Sequence, residues 1–214
     1  MSGLQIAGSQ NNPIDQSTDF GASVNEIHAR FAINSLRGNI FHASNTGVGV
    51  TLAAANAIGA AVPAAGAAQP VLGLLNPASS GVNLVINKAK VATLSGTPGG
   101  GFIIGYLPNS QAALYTGVQT NKGVQASTLT PSSKAVVLPN LALTGTTSLV
   151  SELTQLGGPA AVAAGAGVYT AVDMTDGDVI VPPGSIIGIF SQAAGTTHIV
   201  KAALQWEEVS VAVK

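Results

Sequence analysis

The chain reads as an all-β protein, an antiparallel β-sandwich of short strands, and three observations predict this. Along Val200, Ala202, Leu204 and Trp206 every residue is apolar, while Lys201, Ala203, Gln205 and Glu207 between them are small or polar. A period of two marks a strand with one buried face. Turn signals recur at Asn76-Pro77, Ser95–Gly100, Leu107-Pro108-Asn109, Asp176-Gly177 and Pro182-Pro183-Gly184, where Pro and Gly supply backbone angles that strands do not. Short apolar runs fill the gaps, without the alternating helical patterns of a βα protein.

In chain order the candidate strands are Gly47–Leu52, Val71–Leu75, Val82–Thr93, Gly101–Leu107, Lys134–Leu138, Val168–Val172, Asp178–Val181, Ser185–Phe190 and His198–Val211. In Val82–Thr93 the parity of Leu84, Ile86 and Lys88 against Val85, Asn87 and Ala89 is imperfect. A bulge, or a strand passing from one sheet to the other, would account for it. The Gly99-Gly100-Gly101 run reads as a hairpin or inter-sheet loop. It lacks the Gly-Lys-Ser/Thr entry to a helix that a phosphate loop needs. Ala53–Ala68 and Gly157–Gly167 read equally as loops or short helices.

Residues 1–45 form a separate segment, an N-terminal arm or short helix, before a sandwich over 46–214. They hold Asp15, Asp19, Glu26, Arg30 and Arg37. Ser23 with Glu26 three positions on resembles a helix start over Asn25–Leu36, which Gly38 would end. An extended arm docked on a neighbour fits as well.

Charge is the abnormal quantity. The 214 residues carry eight Lys+Arg and nine Asp+Glu, a net charge of −1, where an average chain of this length would carry roughly 50 charges. No basic stripe is visible, so no nucleic acid is expected as a partner. Sparse charge serves a free monomer poorly, and protein surface facing other protein is the simplest remedy. The chain is 46% hydrophobic, which excludes disorder, and it holds no cysteine, which excludes disulfides and thiolate sites. The uncharged window before Lys88 is built from Ala and Gly with Asn56, Pro63 and Pro70 inside it, a poor membrane span. The first residues lack a basic region followed by an apolar run, so neither membrane nor secretory signal is expected.

Tests for chemistry point away from catalysis. Only His28, His42 and His198 could serve a serine triad, and no G-x-S-x-G elbow occurs. His198 reads as a strand-end histidine bonded to a loop carbonyl. Glu207 and Glu208 point to opposite faces of a strand, so they cannot flank one glycosidic bond. They read as rim charges. Asp173–Asp178 places three carboxylates in six residues, but Pro183 and Gly184 fall where a calcium loop needs its closing Glu; a tight polar turn is the expectation. Trp206 reads as a core anchor. No catalytic, metal-binding or cofactor residue is assigned. The fold anchors are Trp206, Pro182, Pro183 and Gly184.

The stretch VIVPPGSIIGIF followed by GTTHIVKAALQWEEV resembles the C-terminal strands of jelly-roll structural proteins of tailed bacteriophages. Gly73–Pro77 followed by Asn83–Ile86 resembles the N-terminal hairpin of the same group. The resemblance implies a jelly-roll virion component without catalytic residues, a capsid decoration or cement protein on the capsid surface. Its implied partners are copies of itself, a trimer foremost, and the major capsid protein. A receptor-binding or head/tail-fibre module is the alternative it leaves open.

Overall fold

A computed structural model describes residues 38–45, 47–52, 69–97, 100–108, 122–123, 134–139, 151–157, 170–173, 175, 177–193 and 196–211. These hold twelve strands and no helix: β1 (Ile40–Ser44), β2 (Val50–Thr51), β3 (Leu72–Asn76), β4 (Val82–Thr97), β5 (Phe102–Pro108), β6 (Lys122–Gly123), β7 (Val136–Pro139), β8 (Ser151–Gly157), β9 (Thr170–Asp173), β10 (Val179–Val181), β11 (Ser185–Ser191) and β12 (Thr196–Ser210). The helix expected over Asn25–Leu36, all of Ala53–Ala68 and all of Gly157–Gly167 but Gly157 lie outside the described residues.

The strands form two antiparallel sheets packed face to face. One has seven strands, in the order β10-β4-β12-β1-β6, with β2 also paired to β12 and β9 to β4. The other has five, in the order β7-β3-β11-β5-β8. Early strands pair with late ones in reverse order: β1 with β12, β3 with β11, β4 with β10 and β5 with β8. A chain folded back on itself and rolled in this way is a jelly roll, the double-sheet solution to the edge problem of antiparallel strands.

The connections follow from that roll. β3 lies in the five-stranded sheet and β4 in the seven-stranded one, so Gly73–Pro77 and Asn83–Ile86 are not a hairpin: the turn between them crosses from sheet to sheet. The chain likewise passes between sheets from β4 to β5, with Gly100 and Gly101 just ahead of β5, and Pro182-Pro183-Gly184 carries it across from β10 to β11. Strand β1 lies inside the seven-stranded sheet, so the sandwich takes in Ile40–Ser44, which the sequence had placed in the arm.

Between the sheets sits one core. Leu84, Ile86, Ala89, Val91, Val200, Ala202, Leu204 and Trp206 face Leu72, Leu74, Phe102, Ile104, Val137, Ile187 and Ile189. The expected alternation in β12 holds, with Val200, Ala202, Leu204 and Trp206 all buried. The broken parity of β4 is a bulge at Asn87: Lys88 pairs with Gln205 and Ile86 with Trp206, leaving Asn87 without a register partner. One extra residue turns Leu84 and Ile86, then Ala89 and Val91, toward the same core.

Candidate functional site

Trp206 is wholly buried. Its ring stacks on Phe41, the residue directly opposite on β1, with centroids 6.0 Å apart and planes 28° from parallel. Such a pair adds about 0.5–1.5 kcal/mol beyond the area it buries. The tryptophan is a packing element, as its strand parity predicts. Pro182 is exposed and Pro183 half-buried. Gly184 takes φ 81°, a left-handed angle that glycine reaches without strain, and its N–H donates to the Asn76 carbonyl at 2.8 Å.

That turn belongs to a polar clasp at the end of the sandwich where β4 begins. The buried Asn76 side chain, on the five-stranded sheet, donates through Nδ2 to the Val82 and Val181 carbonyls of the other sheet, each at 2.8 Å. Glu208, on β12, reaches the opposite way: its Oε1 accepts from the Lys134 N–H at 2.7 Å and the Ala135 N–H at 3.3 Å, just ahead of β7. Trp206 Nε1 lies 3.5 Å from the same oxygen, at the outer limit for a hydrogen bond. Glu208 is therefore an inter-sheet tie and not the simple rim charge its sequence position suggests. Glu207 points to the other face, as strand geometry requires.

His198 departs from expectation in its partner. It is fully buried, and its Nε2 meets the Thr93 hydroxyl at 2.9 Å on neighbouring β4 instead of a loop carbonyl. Its ring lies 6.0 Å from that of Phe102. Burial pulls its pKa below the usual 6.5 because the charged ring loses solvation. Among the described residues its other ring nitrogen, Nδ1, has no hydrogen-bond partner.

The described residues of the acidic segment after β9 make turn hydrogen bonds. Asp178 N–H donates to the Thr175 carbonyl at 2.9 Å, and Gly177 N–H to the Ile86 carbonyl at 3.1 Å. The buried Thr175 hydroxyl also donates to Ile86 O. The turn thus serves the backbone of β4 beside its bulge. Met174 and Asp176 lie outside the described residues, and no metal-ligating group of three occurs among those described.

The concavity that sequence reasoning missed lies on the outer face of the seven-stranded sheet. An open depression of about 280 Å³ is lined by His42, Lys88, Lys90, Ala203, Leu204 and Gln205. Register builds it. His42 on β1, Gln205 on β12 and Lys88 on β4 stand in one row; Ser44, Ala203 and Lys90 stand in the next. Ala203 is a methyl group among long side chains, and that size difference makes the depth. The pair Lys88-x-Lys90 was a visible signal, since residues two apart on a strand share a face. The approach of His42 and Gln205 from two other strands was not legible without the register.

Comparison with family models, curated proteins and solved structures finds no match.

Proposed function

We propose that this chain is a structural subunit of a phage virion, a decoration or cement protein that assembles into a closed oligomer, a trimer foremost, and stabilises the particle. The reading is carried by one pairing of observations: a jelly-roll strand order on a chain with only eight cations and nine anions. So few charges suit a surface that meets other protein. The action is mechanical. Weakly charged flanks associate with one another and with capsid subunits, and a stable contact of this kind buries roughly 1,600 Å². The sequence resemblance to jelly-roll virion proteins supports the same role.

Light scattering of the purified protein, followed by its addition to capsids lacking it, tests the proposal. A defined oligomer that binds and stabilises those capsids is the expected result. A monodisperse monomer that leaves them unchanged overturns it.

A further inference from the structure

The outer-face depression gathers charge that the rest of the chain lacks. Lys88 and Lys90 are two of only eight Lys+Arg in the sequence, and both line this one depression with His42 and Gln205. Lys201 projects from the same face of β12 two residues from Ala203. Among the described residues no carboxylate lines the depression; the nearest on the same outward face of β12 is Glu207, two residues beyond Gln205. Along β4 the two lysines start about 7 Å apart, and each strand adds about 4.8 Å laterally. Flexible four-carbon stems let both ammonium groups swing over the Ala203 floor.

The choice of occupant follows from charge and size. A second copy laid face to face about a two-fold axis would set lysines against lysines, so the face does not complement itself. A nucleic-acid strand carries its charge as a series of single phosphodiesters and calls for a longer track of cations. A monocarboxylate would neutralise only one lysine. A phosphate monoester carries nearly two negative charges at neutral pH and three strong acceptor oxygens, matching two ammonium groups with an amide and an imidazole beside them. The volume is just under the range of about 300–1,000 Å³ for whole small-molecule pockets, which suits one such group.

We propose that this depression binds a doubly charged oxyanion of the phosphate-monoester class, held between Lys88 and Lys90 with Gln205 and His42 as further hydrogen-bond partners. This property is independent of the virion role, and either can fail without the other.

The test is titration of the isotope-labelled full chain with inorganic phosphate at constant ionic strength, following the amide signals of His42, Lys88, Lys90 and Ala203–Gln205. Acetate and a short single-stranded oligonucleotide form parallel arms. Saturable shifts confined to these residues are expected with phosphate, at least about tenfold weaker in Lys88→Gln/Lys90→Gln, as loss of charge-assisted hydrogen bonds requires. Thermal melting of the double variant confirms that it folds; the single change at exposed Lys90 serves if it does not. An equal response to acetate would reduce the effect to charge screening. Tighter binding of the oligonucleotide would make the face a polymer site, and undiminished shifts in the folded variant would place the anion elsewhere. Each of these three results overturns the proposal.

Discussion

The two sheets solve the same packing problem with different outer faces. On the seven-stranded sheet, residues facing away from the core include His42, Lys88, Lys90, Lys201 and Gln205, all exposed or half-buried. On the five-stranded sheet both faces are apolar. Leu74 and Ile187 face the core, while their neighbours Leu75 and Ile186 point the other way and are equally buried, as are Ile103, Val136, Leu138 and Phe190. Alternation is a property of a sheet with one wet face. Where both faces are dry, the sequence becomes a continuous apolar run, as in Ser185–Ser191.

The largest effect should separate the two outer faces. Ile186→Ala, on the non-core face of the five-stranded sheet, is expected to cost about 2–5 kcal/mol in denaturant unfolding, as a core truncation does. Gln205→Ala, outward on the other sheet, should stay within about 0.5 kcal/mol. Equal costs would erase the distinction.

A smaller effect probes how closely the five-stranded sheet is covered. Gly73, Gly188 and Gly105 stand in one row across β3, β11 and β5, and a Cβ built on Gly188 would lie 2.7 Å from Pro70 Cβ and 3.0 Å from the Phe190 ring. Gly188→Ala should therefore cost about 1–3 kcal/mol through overpacking, read as a lowered melting temperature. An unchanged melting temperature would mean that Pro70 is not seated in the glycine row.

The smallest is a pH effect confined to the seven-stranded sheet. His198 has a folded pKa below 6.5, so the unfolded chain takes up its proton first as pH falls. Stability contributed by the neutral ring is complete above 6.5 and declines toward the lower folded value, by at most about 1.4 kcal/mol per pH unit. In His198→Gln that part of the slope between pH 7 and 5 should vanish. An unaltered slope would assign it to other groups.

Which strands were legible follows from the same contrast. β12 announced itself through alternation and β11 through its apolar run. β1 and β8 did not. In Ile40–Ser44 the outward Ile40 is buried although it lies outside the inter-sheet core, so the period of two is lost. In Ser151–Gly157 two register shifts against β5 break the pattern, and Leu153 is exposed. The bulge in β4 was readable as a parity fault, though its service by Thr175 and Gly177 was not. Of the candidate groove only Lys88-x-Lys90 was visible. His42 and Gln205 reach it through pairings between residues more than 100 positions apart, which no local pattern encodes.

Those distant pairings also govern when the molecule can form. Strand β12 lies between β1 and β4, so β1 has its principal neighbour only after residues 196–210 have left the ribosome. Until then Phe41, Leu84 and Ile86 lack the β12 neighbours that they pack beside in the folded sheet. Closure of the sheet is a late event in synthesis, and loop-closing pairings of this span are slow. Strand order alone thus makes burial of the early strands wait on the late one.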